Sequence, residues 1–197
     1  MSEIILDLCG GTGAWSEPYK KAGYDVRVVT LPEHDVKLYI PPDNVYGILA
    51  APPCTEFSRA KGSRPRNLEQ GMEVVDACLK IIFRCRFAGK LEFWAMENPV
   101  GLLRQFLGKP AYTFEHWQFG DMQIKPTDLW GYFKNPKPTV KERPAVLITQ
   151  FPNGRGNGKG WAKPKCPERY KHLGLDRAAI RAITPPGFAQ AFFKANR

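Results

Sequence analysis

The sequence is poor in the features that would take it into a membrane or an oxidising compartment. Its opening apolar run, Ile4-Ile5-Leu6, is too short for a secretory leader and runs straight into Asp7. No apolar stretch is long enough to span a bilayer, so no membrane partner is expected. The five cysteines are an odd number and none are in CxxC spacing. That excludes a disulfide framework and a structural zinc site, and leaves reduced thiols in a cytoplasm with no metal. A GxGxxG fingerprint is missing, as is the Gly-Lys-Ser/Thr of a phosphate loop. Internal repeats are also missing. Negative charge is scarce: 19 Asp and Glu face 29 Lys and Arg, for a net charge of +10. Much of the excess falls in one segment. Between Lys134 and Lys171 ten lysines and arginines meet only Glu142 and Glu168. A polyanion is the natural partner of such a segment, nucleic acid first, and a solvated basic surface is the alternative.

What is present centres on Ala50-Ala51-Pro52-Pro53-Cys54-Thr55-Glu56-Phe57-Ser58. The run Val45–Ala51 predicts a short buried strand. Two prolines then stop its ladder, because neither has an N–H to donate. Cys54 follows at the carboxyl end of that strand, where open α/β sheets bind ligands. Arg59, Lys61, Arg64 and Arg66 come next, and nearby cations lower a thiol pKa. A cysteine nucleophile has this setting. A buried structural cysteine is the competing reading.

The 197 residues suffice for a single domain with a full core. Ile4–Leu8 predicts a parallel strand, followed by Cys9-Gly10-Gly11-Thr12-Gly13, Ala14-Trp15 and a helical stretch to Ala22. That order lets a backbone approach a ligand at a helix N-terminus, though a tight βα turn also has it. Asp25–Thr30 predicts the second strand. A dinucleotide fold usually ends this strand in a ribose-binding acid, and Thr30 or Leu31 stands there instead, which disfavours a dehydrogenase. Asp35 follows in a loop, either as an acceptor for an adenine amino group or as a turn residue. Leu68–Phe87 predicts an amphipathic helix ended by Gly89, with Met72, Val75, Leu79 and Ile82 at helical spacing. Leu91–Met96 predicts a strand that delivers Glu97-Asn98 and is stopped by Pro99. Thr113–Phe119 predicts a strand broken at Gly120, and Asp128–Phe133 another. Residues 134–172 form a short basic segment suited to binding nucleic acid. Within it, Asn153–Gly160 reads as a flexible loop, and Trp161 and Tyr170 either stack on bases or pack on the body. The tail, 176–197, predicts helix broken at Thr184–Gly187 and returning to the core.

Taken together, these segments resemble the cytosine-C5 DNA methyltransferases. Asp7-Leu8-Cys9-Gly10-Gly11-Thr12-Gly13 is similar to that family's S-adenosylmethionine loop. Asp35-Val36 is similar to its adenine-contacting Asp, Pro53-Cys54 to its nucleophile motif, and Glu97-Asn98 to its catalytic Glu-Asn motif. Gln123-x-Lys125-x-Thr127 resembles its Gln-x-Arg-x-Arg, with Lys125 and Thr127 where the family has two arginines. Order and spacing agree over residues 3 to 133, and small phage-type members are the nearest in size.

The resemblance implies an α/β, Rossmann-like methyltransferase fold, with a mixed, mostly parallel sheet and helices on both faces. It implies S-adenosylmethionine as cofactor, held by Asp7, Cys9, Gly10, Gly11, Thr12, Gly13, Ala14, Trp15, Thr30, Asp35 and Pro52. Double-stranded DNA is the implied partner, met by Pro53, Ser58, Arg59, Asn98, Pro99, Gln123 and Thr127. Catalysis is implied for Cys54, which adds to C6 of a flipped-out cytosine, and for Glu97 and Lys125, which steady the base. The same mechanism on RNA, single-stranded DNA or with a modified sulfonium donor is an alternative. A silent nucleic-acid-binding protein is another, against which stands the presence of both Cys54 and Glu97.

Overall fold

The computed structural model describes residues 2–145, 147–149 and 166–197. The loop read at Asn153–Gly160, and Trp161 with it, lie outside the described residues. The chain runs β1 (Ile4–Leu8), α1 (Glu17–Lys21), β2 (Asp25–Val29), β3 (Val45–Ala50), α2 (Leu68–Phe87), β4 (Phe93–Pro99), α3 (Arg104–Leu107) and β5 (Tyr112–Glu115). It continues with β6 (Gln123–Ile124), β7 (Pro126–Tyr132), β8 (Ile148–Thr149), α4 (Arg177–Ala182) and α5 (Pro186–Ala195). Six strands form one sheet in the order β2-β1-β3-β4-β7-β5, and β6 and β8 pair apart from it. The pairs β1/β2, β1/β3 and β3/β4 are parallel, while β7 runs antiparallel to both β4 and β5. This is a Rossmann-like mixed sheet, mostly parallel, as the sequence predicts.

The strands are apolar on both faces, which a sheet covered on both sides requires. Alternation along each strand sends neighbours to opposite cores. Ile4, Leu6 and Leu8 of β1, with Ile48, Ala50 and Met96, pack under α2 through Val75, Cys78, Ile81, Ile82 and Cys85. Ile5, Leu49, Phe93, Ala95 and Leu129 face the other way, onto Trp15, Tyr19 and the α5 residues Phe188, Phe192 and Phe193. The second core is aromatic: Phe188 stacks on Phe114 at 4.3 Å between ring centres, and Trp15 meets Phe192 edge-on at 5.4 Å. The tail thus returns to the core. α2 spans the predicted residues, with Asn67 capping its first turn by accepting from Gln70 N–H at 3.0 Å.

Three expectations shift. The strand predicted over Thr113–Phe119 runs instead from Tyr112 to Glu115 and is followed by a 3-10 turn over His116–Phe119, closed by Gly120 at φ 85°. β7 begins at Pro126, two residues early. Pro99 does not stop β4. Glu97, Asn98 and Pro99 pair with Leu129, Asp128 and Thr127 of β7, while pairing with β3 ends at Met96. An antiparallel neighbour on one side is enough to carry a proline whose other side faces no ladder. The sheet order reverses beside β1, so the carboxyl ends of β1 and β3 open onto the crevice where such sheets bind ligands.

Candidate functional site

The first strand delivers a strained turn. Cys9 takes a left-handed backbone at φ 56°, uncommon for a residue with a side chain, and its N–H donates to Val29 at 2.8 Å. Gly10 admits no side chain: a Cβ there would sit 2.4 Å from the Asp7 carboxyl carbon. The turn closes by Gly13 N–H donating to the Gly10 carbonyl at 2.9 Å. Asp7 lies beneath it, fully buried. Ser16 Oγ donates to Asp7 Oδ2 at 2.5 Å, and Oδ1 has no partner. Burial raises the Asp7 pKa to about 6 against the pull of the Ser16 hydrogen bonds. Trp15 Nε1 is a second buried polar atom without a partner. Thr12, Gly13 and Ala14 lie along the same turn, with Gly11 exposed. The Cys9 side chain turns away from the loop's open face. It packs against the α2 core, and a hydrogen bond with Cys78 is the main cause lowering its thiol pKa. Thr30 follows β2, and Asp35 Oδ1 accepts from Lys37 N–H at 2.9 Å, a turn contact. Asp35 lies near enough to Cys9 to oppose ionisation of its thiol.

The third strand delivers Cys54. Ala51 N–H donates to the Leu8 carbonyl at 2.9 Å, so the two turns leave the sheet side by side. Pro52 is buried, Pro53 exposed and Cys54 half-buried. Phe57 anchors the loop in the core, fully buried, and its carbonyl accepts from Leu102 N–H at 2.9 Å. That approach needs Gly101, where a Cβ would lie 2.3 Å from the Phe57 carbonyl oxygen. Downstream, Glu56 accepts from Lys61 at 2.5 Å and from Asn67 N–H at 2.6 Å. Arg66 donates to the carbonyls of Glu56, Ser58 and Gly62, and Arg64 to that of Lys61. Ser58 Oγ accepts from Ala60 N–H, and Arg59 is exposed.

These contacts overturn one expectation: Lys61, Arg64 and Arg66 hold the loop together and do not set the thiol. The Cys54 pKa is raised, first by burial and then by Glu97, and the cations that oppose the rise are Lys125 and Arg181.

Glu97 and Asn98 project from β4 beside this loop. Asn98 is fully buried, donating from Nδ2 to the Pro52 carbonyl at 2.9 Å. It is a strut between β4 and the Cys54 loop, and its Oδ1 is left without a partner. Burial raises the Glu97 pKa, with Asp128 adding to the rise and Lys125 opposing it. Lys125 Nζ lies 3.9 Å from Glu97 Oε1 and donates to the Arg181 carbonyl at 3.4 Å. Thr127 is fully buried, and its hydroxyl is shared between the Lys125 carbonyl at 3.0 Å and His116 Nε2 at 3.3 Å. Burial in turn lowers the His116 pKa to about 4. Pro99 is half-buried at the end of β4, and Gln123 opens β6 with its N–H on Asp121 Oδ1. Tyr170 is buried with Arg169 over its ring at 4.7 Å, so it packs on the body and is not a free platform for bases.

Three features escaped sequence reasoning. The Asn98 strut and the Gly101 approach join residues far apart in sequence, and Arg181 lies in a tail helix with no motif around it. Among the described residues no group of three or more acidic, His or Cys side chains is placed to hold a metal ion, and no helix is long and apolar enough to cross a membrane.

No family model and no curated protein matches the chain. A solved structure similar to it is that of a triple mutant of DNMT2 from Spodoptera frugiperda, at 18% identity and a TM-score of 0.44. The match covers 77% of this chain and 56% of that one, so the chain spans little more than half that protein's length. The likeness is one of fold.

Proposed function

We propose that the protein is an S-adenosylmethionine-dependent DNA cytosine-C5 methyltransferase with Cys54 as nucleophile. One observation carries the reading. A carboxyl group, Glu97, raises the pKa of a thiol, Cys54, delivered by the adjacent parallel strand, and one lysine, Lys125, acts on both. A surface cysteine and a surface glutamate have no reason to meet in this way.

The turn after β1 fits the cofactor. Gly10 leaves no bulk above Asp7, and the buried Asp7 Oδ1 and Trp15 Nε1 have hydrogen-bonding capacity unused by the protein. Asp7, Trp15 and the backbone of residues 9–13 would hold it, with Thr30, Asp35 and Pro52 at its margin. When bound, S-adenosylmethionine supplies the electrophilic methyl group that C5 of the base takes.

The chain's own residues do the rest. Cys54 Sγ, as thiolate, adds to C6 of a flipped-out cytosine and pushes the C5–C6 electron pair onto C5. Glu97, whose burial favours its protonated form, donates to N3 and so steadies the charge that addition creates. Lys125 holds Glu97 in place. Once the C5 proton leaves, its electron pair re-forms the C5–C6 double bond and expels the Cys54 thiolate. Asn98 keeps the nucleophile loop against the Glu97 strand throughout. Lys134, Lys137, Lys141 and Arg143, exposed or nearly so, would meet phosphates, which position a protein on DNA without specifying sequence.

The test is incubation with labelled S-adenosylmethionine and a duplex carrying 5-fluorocytosine. Fluorine at C5 blocks release, so a denaturation-stable adduct that carries the label and maps to the Cys54 peptide is expected. Absence of any adduct on duplex, single-stranded DNA and RNA would refute the mechanism, and an adduct on RNA alone would move the substrate.

A further inference from the structure

Lys125 stands at the joint between β6, which ends at Ile124, and β7, which begins at Pro126. The two strands belong to separate sheets, and the pairing of neither includes it. Its ammonium nevertheless has a definite place, 3.9 Å from Glu97 Oε1 and 3.4 Å from the Arg181 carbonyl, which accepts its hydrogen bond. A long, flexible side chain keeps such a place only when the backbone beneath it is held.

The hold comes from Thr127. It is fully buried and locked between two strands, opposite Pro99 of β4 and Phe114 of β5. Its hydroxyl donates to the Lys125 carbonyl at 3.0 Å. A hydroxyl has one hydrogen, so the 3.3 Å contact between Thr127 Oγ1 and His116 Nε2 requires the proton on the ring, with Nε2–H donating. His116 is itself buried, its ring stacked on Phe114 at 5.9 Å with 14° between the planes. Its Nδ1 faces Asp121 Oδ2 at 3.7 Å, too long for a hydrogen bond. Burial disfavours a charge on this ring, which leaves it neutral and committed to Thr127.

We propose that His116 and Thr127 are positioning residues for the reaction: hydrogen bonds run from His116 Nε2–H to the Thr127 hydroxyl and on to the Lys125 carbonyl, and so fix the backbone from which Lys125 reaches Glu97. This rests on the reading of Glu97 and Lys125 above. Both residues are buried and act through Lys125, not on the base.

Three measurements on the full chain test it. The chain has three histidines, so ring-nitrogen NMR at pH 7 resolves His116, and the Nε2–H tautomer is expected. The Nδ1–H tautomer overturns the relay. Acetylation of Lys125 by acetic anhydride, read by mass spectrometry, rises severalfold in Thr127→Val and in His116→Phe, which keeps a ring on Phe114. Labelling of Lys134 stays level as the reference. Thr127→Ser and His116→Gln, which return a hydroxyl and an N–H to the same places, restore the protection. Lys125 labelling unmoved in both Thr127→Val and His116→Phe overturns the proposal. Adduct formation with the 5-fluorocytosine duplex slows by about tenfold in Thr127→Val through misplacement of Lys125. Thr127→Ser recovers most of that rate, and Thr127→Val adds nothing once Lys125→Met is present. A loss that adds in full to that of Lys125→Met overturns the proposal, since a merely structural role acts without Lys125. Failure of the adduct in the unsubstituted protein would instead strike the methyltransferase reading, and the tautomer and the Lys125 labelling would still decide this one.

Discussion

The turn after β1 and the loop after β3 leave the sheet side by side yet are built on opposite plans. Between Cys54 and Asn67 no buried side-chain polar atom lacks a partner, since Glu56, Lys61, Arg66 and the Ser58 and Asn67 caps satisfy one another. Between Asp7 and Ser16 two buried polar atoms are unpaired, one residue with a side chain is left-handed, and a carboxyl group is wholly desolvated. Unmade hydrogen bonds in a buried place cost stability, and they are kept where something else benefits. The comparison teaches a division of labour. The β3 loop is a finished scaffold that presents one thiol, and the β1 turn is a cradle with hydrogen-bonding capacity in reserve.

Substitutions can break or sharpen this contrast. Cys54→Ser should lower methyl transfer by on the order of 10^4-fold or more, because an alcohol is a far poorer nucleophile. Its melting temperature should hardly move, as the loop's clasp does not use Sγ. A large drop in stability would show that the scaffold depends on the thiol.

Asp7→Asn reports on the cradle. Native Asp7 titrates near 6, above its ordinary 3.8, so the folded state binds the proton more tightly than the unfolded one. Stability from this group is present below pH 4 and lost as pH rises to 6. Relative to the unsubstituted protein, the Asn variant should therefore gain by on the order of 3 kcal/mol across that window and stay level above it. His116, neutral when folded and lowered to about 4, loses stability as pH falls from 6.5, the opposite slope. It is common to both proteins and cancels in their difference. Denaturant melts at pH 4, 5, 6 and 7 measure it, and a flat difference would remove the desolvated carboxylate from the account.

Gly10→Ala places a methyl against the Asp7 carboxyl and should cost about 1–3 kcal/mol by overpacking, with binding of S-adenosylhomocysteine lost by calorimetry. Retained binding would mean the turn is not the cradle. Asn98→Ala leaves the buried Pro52 carbonyl without its donor, at about 1–2 kcal/mol. Adduct formation should slow more than melting suggests, because the strut also sets where Cys54 sits. Equal adduct rates would reduce Asn98 to a packing residue.

Much of the site was readable from the chain because each part is local. The stop at Pro52-Pro53, the crowding of Gly10 and Gly13, the span of α2 and the placing of Glu97 after an apolar run all follow from a few neighbouring residues. The basic loop misled for a related reason. Arg59 to Arg66 are near Cys54 in sequence, but carbonyls and Glu56 within the same loop are nearer in space and take up Lys61, Arg64 and Arg66. The burial of Thr127 and Asn98 likewise cannot be seen along a chain. Tyr170 was ambiguous and proved to be packing.

Continuous apolar runs and turn chemistry, both properties of adjacent residues, settled by themselves that this chain folds as strands and helices with reactive residues at the strand ends, and the family resemblance implied the mostly parallel sheet. Which charges stand together was decided only in three dimensions. Lys125, between β6 and β7, is brought to Glu97 from a distant part of the chain and rests on the α4 carbonyl of Arg181, and the ionisation of a thiol depends on distance and burial, not on sequence separation.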